Sequence, residues 1–204
     1  MKILTYPLGD LGTNSYVLVN ETTREALVVD VGDNGNFLLL EGLKHDFKLK
    51  AILLTHGHFD HIGGVGELYD KGVTVYMGEN ELDFISDKKL NLSGFFGADI
   101  KPFKAVAVKD GETLNMCGFE ILAISTPGHT KGSITYKVGN NLFCGDVLFN
   151  GSFGRVDFPT GNVKELVDSC KKLFAYENHT VYSGHGEQTT TDKEKNNNPI
   201  NYYD

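Results

Sequence analysis

The sequence predicts an α+β protein in which two similar halves share one core, with sheets inside and helices outside. Short apolar runs rich in β-branched and aromatic residues recur along the chain and end in turn residues. Amphipathic segments separate some of these runs, as expected for helices that cover a sheet. Strands followed by helices occur once before about residue 100 and again after it. We expect a single domain over residues 1–204, because domains commonly hold about 100–200 residues.

The apolar runs predict nine strands, at residues 14–20, 25–32, 51–56, 72–77, 104–111, 118–125, 133–138, 141–147 and 180–185. Helical patterns cover residues 36–46, 61–72, 79–89 and 161–177. In the last helix, a spacing of three to four predicts one buried face, made of Val163, Leu166, Val167, Cys170, Leu173 and Phe174. Phe95 and Phe96 lie between two predicted elements, and we expect them to pack in the core; a loop flap is the alternative.

The charge balance limits the classes of partner. Nineteen basic and 27 acidic side chains give a net charge of −8, which argues against nucleic acid and anionic membranes as partners. No stretch approaches the roughly 18–20 apolar residues of a membrane span. Pro7 and Gly9 interrupt the amino end before a signal-peptide core could form, and the three cysteines suggest no disulfide framework. A cytoplasmic location is therefore expected.

Three histidines and one aspartate fall within six residues, 56–61, which begin at the end of the predicted strand at 51–56. His56 and His58 are two residues apart, so in an extended segment they point the same way and could hold one metal ion. Asp60 and His61 follow where a helix begins, and they could turn towards a second ion. Because four such residues in this spacing are rare by chance, a metal site is favoured over histidines that only stabilise turns.

Three further candidates lie at strand ends in the second half of the chain. His129 follows the strand at 118–125, Asp146 ends NLFCGD, and His185 ends VYSGH. Each alone is a weak signal, because strand-end loops often contain such residues. Together they fall where loops of the second half would meet the histidine cluster of the first.

These motifs resemble those of the metallo-β-lactamase fold superfamily, and within it the glyoxalase II (hydroxyacylglutathione hydrolase) type. The matching runs are THGHFDH, TPGHTKGS, the strand-end Gly-Asp and SGHG. The resemblance implies a four-layer αββα sandwich with a metal site at one edge of the sheets. It also implies that the first metal is held by His56, His58 and His129, the second by Asp60, His61 and His185, and that Asp146 bridges the two.

Such a site implies hydrolysis. A divalent metal lowers the pKa of bound water to about 7, so a metal-bound hydroxide could attack an electrophilic carbonyl at neutral pH. Asp60, His61 and Asp146 are the expected catalytic side chains around that hydroxide. The resemblance favours a small acyl thioester as the substrate. Zinc is the expected metal, with iron or manganese as alternatives, since no thiolate ligand selects among them.

Fewer residues indicate how a substrate would bind than indicate how a metal would bind. The resemblance implies that Arg155 contacts a carboxylate of the thiol carrier, but an internal ion pair with Asp157 is an equal alternative. Two ions at the site would make the pocket positive, so an anionic small molecule is the expected substrate. The sequence leaves the oligomeric state open. Glutathione itself is in doubt, because the chain ends soon after Asn198-Pro199 and has Glu187 where the full-length enzymes carry a tyrosine.

Other functions remain open on the same ligands. A persulfide dioxygenase with a single iron, a lactone hydrolase and a non-catalytic scaffold of the same fold are the alternatives. Asp146 occupies the position where the commonest zinc β-lactamases have cysteine, which argues against β-lactam hydrolysis.

Overall fold

A computed structural model describes residues 1–203; Asp204, the last residue of the predicted domain, lies outside the described residues. It confirms the α+β class and the four-layer αββα sandwich. Two six-stranded sheets pack face to face, and helices cover the outer side of each. The first sheet comes from the first half of the chain and the second sheet from the second half.

The first sheet has the strand order β1-β2-β3-β4-β5-β6. Its first three strands are antiparallel, and β3 to β6 run parallel. The strands are β1 (Lys2–Leu8), β2 (Thr13–Val19), β3 (Glu25–Val29), β4 (Lys48–Leu54), β5 (Thr74–Gly78) and β6 (Val106–Val108). The helices of this half are α1 (Gly35–His45), α2 (Phe59–Ile62), α3 (Val65–Tyr69), a 3₁₀ helix (Glu79–Ile85) and α4 (Ser93–Phe96).

The second sheet has the strand order β14-β13-β10-β9-β8-β7, in which only the β10–β13 pair is parallel. Its strands are β7 (Thr113–Met116), β8 (Phe119–Ser125), β9 (Ile134–Val138), β10 (Asn141–Gly145), β13 (Thr180–Ser183) and β14 (Thr189–Thr190). A hairpin of β11 (Leu148–Phe149) and β12 (Ser152–Phe153) follows β10. The helices are α5 (Val163–Phe174), α6 (Thr191–Asn197) and a 3₁₀ helix (Pro199–Tyr202).

Side chains point alternately to the two faces of each sheet, and this divides the core into three layers. Val28 and Ile52 of the first sheet face α1 and α3, whereas their neighbours Leu27 and Leu53 face the second sheet. On the far side, Leu142 of β10 packs against α5. The three cysteines are free thiols and are buried, which agrees with the absence of a disulfide framework. In residues 1–203, no helix combines the length and apolar character that a membrane crossing requires.

The structure corrects three expectations about local packing. Val163, the first residue of α5, is 41% exposed, whereas the other five predicted face residues are buried. Phe95 and Phe96 are 69% and 56% exposed, so the prediction that they pack in the core is wrong. Strand β1 was not expected from a segment that contains Pro7. It forms at the edge of the sheet, where a residue without an N–H is tolerated.

Candidate metal centre

All seven candidate ligands come together at one edge of the sandwich. The loop after β4 carries His56 and His58, and the short helix α2 carries Asp60 and His61. Loops after three strands of the second sheet supply the others: His129 after β8, Asp146 after β10 and His185 after β13. Both halves of the chain are therefore needed to assemble the cluster.

The first group contains three buried histidines whose ring nitrogens converge. His58 Nδ1 lies 3.1 Å from His56 Nε2 and 2.9 Å from His129 Nε2. These ligand atoms lie within 4.8 Å of one another, close enough to bind one ion. A single proton on His58 Nδ1 could not satisfy both neighbours, so the arrangement leaves lone pairs directed at a common point.

The second group contains Asp60, His61 and His185, whose ligand atoms also lie within 4.8 Å of one another. His185 Nε2 lies 3.2 Å from Asp60 Oδ2, and His61 Nε2 lies 3.5 Å from the same oxygen. Asp146 lies between the two groups: its Oδ1 is 3.4 Å from His61 Nε2, and its Oδ2 is 3.7 Å from His129 Nε2. The position of Asp146 is compatible with the predicted bridge.

Four of the histidines have their other ring nitrogen engaged outside the cluster. His61 Nδ1 lies 2.8 Å from Asp30 Oδ2, and His129 Nδ1 donates to the carbonyl of Arg155 at 2.7 Å. His185 Nδ1 reaches the carbonyl of Leu11 at 3.3 Å, and His56 Nδ1 lies 3.1 Å from Thr55 Oγ1. When these Nδ1 atoms carry the proton, each Nε2 lone pair points into the cluster, which is how a metal-binding histidine is oriented.

The charge state of the cluster also suits a cation. Burial lowers the pKa of His56 well below its ordinary value, and the neighbouring imidazoles lower it further. Burial would raise the pKa of Asp146, but His61, His129 and His185 together outweigh that effect and keep the pKa low. Burial would lower the pKa of His61, whereas the charges of Asp60, Asp146 and Asp30 raise it well above its ordinary value. Three carboxylates thus favour a positive charge at His61, and a bound metal ion would supply that charge in place of the proton.

Three buried atoms of the cluster have no hydrogen-bond partner in the described residues: His58 Nε2, His61 Nε2 and Asp146 Oδ1. Burial of a polar atom without a partner costs about 1–3 kcal/mol, so such atoms are rare in folded proteins. Of these, His61 and Asp146 belong to one group whose ligand atoms lie within 4.8 Å of one another, and nitrogen and carboxylate oxygen are ligands that zinc and iron accept. The residues therefore fit a pair of divalent ions, while their assignment as ligands stays a prediction.

Three residues that support the cluster were missed by the sequence analysis. Asp30 accepts from the backbone N and the Oγ1 of Thr55 as well as contacting His61. Thr13 Oγ1 donates to Asp60 Oδ2 at 3.0 Å. The strand-end position of Asp30 in EALVVDVG was a usable signal, since the predicted ligand Asp146 ends a strand in the same way.

The third missed residue is Glu81, which is completely buried in the 3₁₀ helix after β5. Its carboxylate accepts from the amide of Gly57 at 2.8 Å and from the amide of Gly132 at 2.9 Å. Burial raises the pKa of Glu81 to about 7, although these hydrogen bonds oppose the increase. One side chain thus ties the His56–His58 loop of the first half to the His129 loop of the second.

Arg155, the predicted substrate contact, lines the cavity in front of the cluster. Its Nε and Nη2 each donate to an oxygen of Asp157 at 2.6 Å, so the internal ion pair weighed above is present. Its role in substrate binding stays a prediction.

Replacement of Gly184 tests how tightly the cluster is packed. A Cβ at this position would overlap Asp146 Oδ1 and lie 2.7 Å from His61 Cε1. We expect Gly184→Ala to lower metal affinity at least about tenfold, since displaced ligands bind poorly. Chelator competition would measure this, with Gln188→Ala at a nearby exposed position as the control. Unchanged affinity in Gly184→Ala would argue that Asp146 and His61 are not both ligands.

The layered sandwich and its strand-end His/Asp cluster define the class of metal-binding αββα proteins. A family model described as the metallo-β-lactamase superfamily matches residues 8–185, and the chain belongs to this superfamily. It is 37% identical to the "Probable metallo-hydrolase YqgX" of Bacillus subtilis, over 98% of this chain and 97% of that protein. It is 35% identical to "Hydroxyacylglutathione hydrolase GloC" of Haemophilus influenzae, over 90% of each chain.

Solved structures give the same picture. The BLEG-1 B3 metallo-β-lactamase superimposes with a TM-score of 0.92 at 35% identity, covering 98% of this chain and 99% of that one. TTHA1623, solved in a di-iron-bound form, has a TM-score of 0.85 at 33% identity and covers 98% and 100% of the two chains. The fold is thus shared with metal-binding proteins of the same length.

Proposed function

We propose that the protein is a binuclear metallo-hydrolase that cleaves a small acyl thioester. The observation that carries the proposal is the position of Asp146 between two three-residue groups of potential ligands. The similarity to a hydroxyacylglutathione hydrolase over 90% of each chain supports a thioester as the substrate. Zinc is the proposed metal, and the di-iron form of TTHA1623 makes iron the first alternative.

The residues have separate tasks in this mechanism. His56, His58 and His129 would hold one ion, Asp60, His61 and His185 the other, and Asp146 would contact both. When bound, the two ions supply an activated water at neutral pH and polarise the substrate carbonyl. Thr13 holds the Asp60 carboxylate, and Asp30 holds His61, so these ligands are oriented before a substrate arrives.

Metal analysis combined with a substrate panel tests the proposal. We expect about two metal ions per chain and hydrolysis of S-lactoylglutathione or a simpler thioester. A chelator should remove the activity, and added zinc should restore it. Metal-replete protein that hydrolyses no thioester, lactone or ester would contradict the proposal.

Two further assays separate the alternatives. A β-lactam belongs in the panel because BLEG-1, at 35% identity, bears the name of a B3 metallo-β-lactamase. Oxygen uptake with one iron per chain would instead identify a persulfide dioxygenase. The proposal also includes an anionic small molecule as the substrate, with neither nucleic acid nor a membrane as a partner. It further includes a cytoplasmic location, which fractionation of cells would test.

A further inference from the structure

The cavity in front of the metal centre has an apolar wall. It encloses about 480 Å³ and reaches three of the candidate histidines and both candidate aspartates. Apart from the candidate ligands, only Ser152 and Arg155 add polar side chains to the described lining. The apolar side chains of this lining include Phe59, Phe96, Phe149 and Phe158.

Aromatic rings flank both halves of the metal centre. The ring of Phe158 lies 5.9 Å from that of His58, beside the first group of ligands. The ring of Phe149 lies 6.3 Å from that of His185, beside the second group. A group bound at the centre would therefore meet an aromatic surface on either side.

Phe96 forms the outer part of this wall. Its ring stacks on Phe59 at 4.8 Å between centroids, while more than half of its surface stays exposed. The preceding residue, Phe95, is also exposed but does not line the cavity. An exposed aromatic ring held by stacking beside a catalytic cavity suits contact with an apolar ligand better than it suits the core.

The one cationic side chain in the described lining is already paired. Both sides of the Arg155 fork are engaged by Asp157, and the guanidinium carbon lies 3.9 Å above the Phe158 ring. Such a bidentate pair compensates the charge and holds the planar group against the aromatic ring. The wall near the scissile bond therefore offers apolar surface rather than a free positive charge.

We infer that the acyl group of the substrate is apolar and packs against Phe96, Phe149 and Phe158. The inference rests on the proposed thioester hydrolysis and adds the nature of the acyl group. In the reaction, the oxygen of water bonds to the acyl carbon and the C–S bond breaks. The sulfur takes one proton of that water and leaves as a thiol, while the apolar acyl group leaves as a carboxylate and the second proton passes to solvent.

A chain-length series on one small uncharged thiol tests the inference. Acetyl, butanoyl, hexanoyl and lactoyl thioesters of N-acetylcysteamine differ only in the acyl group. Each methylene moved fully out of water contributes about 0.8 kcal/mol, or about fourfold in kcat/KM, and a partly open wall should give about half of that energy. We expect hexanoyl to exceed acetyl about tenfold in kcat/KM, and lactoyl to fall below butanoyl.

Two neighbouring phenylalanines provide a matched pair of variants. Phe96→Ala should raise KM for the hexanoyl thioester about fivefold and reduce the preference for hexanoyl over acetyl. Phe95→Ala, at the exposed neighbouring position outside the lining, should leave both unchanged. Both side chains are exposed, so neither substitution should unfold the protein.

The outcomes separate this inference from the proposed function. Thioester turnover with no gain from acetyl to hexanoyl, or equal effects of Phe96→Ala and Phe95→Ala, would overturn the inference and leave thioester hydrolysis standing. No turnover of any thioester would overturn both.

Discussion

Asp146→Ala should reduce kcat by at least about 1000-fold and lower the metal content of the purified protein. The carboxylate lies 3.4 Å from His61 Nε2 and 3.7 Å from His129 Nε2, so its removal takes a ligand from both groups. Lewis-acid activation at metal centres contributes several kcal/mol, and about 4 kcal/mol corresponds to that loss in rate. Thioester kinetics and elemental analysis of the same sample would measure both effects.

Asp168→Ala is the matched control for this variant. Asp168 is an exposed carboxylate on α5, away from the metal centre, and its loss should change neither kcat nor metal content. Circular dichroism should show that Asp146→Ala keeps its secondary structure, because the side chain lies in a loop after β10 and not in the apolar layers. An Asp146→Ala protein that binds two ions and retains full activity would exclude the bridging role.

Glu81→Ala should weaken both the fold and the first group of ligands. The substitution leaves the amides of Gly57 and Gly132 buried without acceptors, at about 1–3 kcal/mol for each. We expect the free energy of unfolding to fall by about 2–5 kcal/mol in denaturant titrations. Gly57 separates His56 from His58, so the affinity of the first ion should fall about 10–100-fold, as for other residues that orient metal ligands.

The second ion provides an internal reference for Glu81. Asp60, His61 and His185 have no hydrogen bond to Glu81 in the described residues, so a chelator titration should show one weakened ion and one retained ion. Glu79→Ala, at an exposed position of the same 3₁₀ helix, should match the unaltered protein. Equal weakening of both ions would show that Glu81 acts on the fold as a whole rather than on the His56–His58 loop.

The arrangement of the candidate ligands at positions 56–61 was predictable because it depends on local geometry. The side chains of an extended segment alternate, which brings His56 and His58 to one side, and a helix that starts directly afterwards carries Asp60 and His61. The nine predicted strands and the α5 helix were predictable for the same reason: periods of 2 and 3.6 can be recognised in a single segment. The short hairpin β11–β12 and β14 each have only two residues per strand, too few to show a period.

Local patterns in the sequence were enough to predict the α+β class, most of the apolar faces and the four candidate ligands at positions 56–61, because each follows from residues close together in the chain. The tertiary structure alone decided which groups meet across the molecule. Glu81 reaches amides 24 and 51 residues away, and Asp30 reaches His61 at a separation of 31. It also decided that Phe95 and Phe96 are exposed and that Arg155 pairs with Asp157. Burial and pairing of these side chains depend on which distant surfaces the fold brings together, and no local period encodes that.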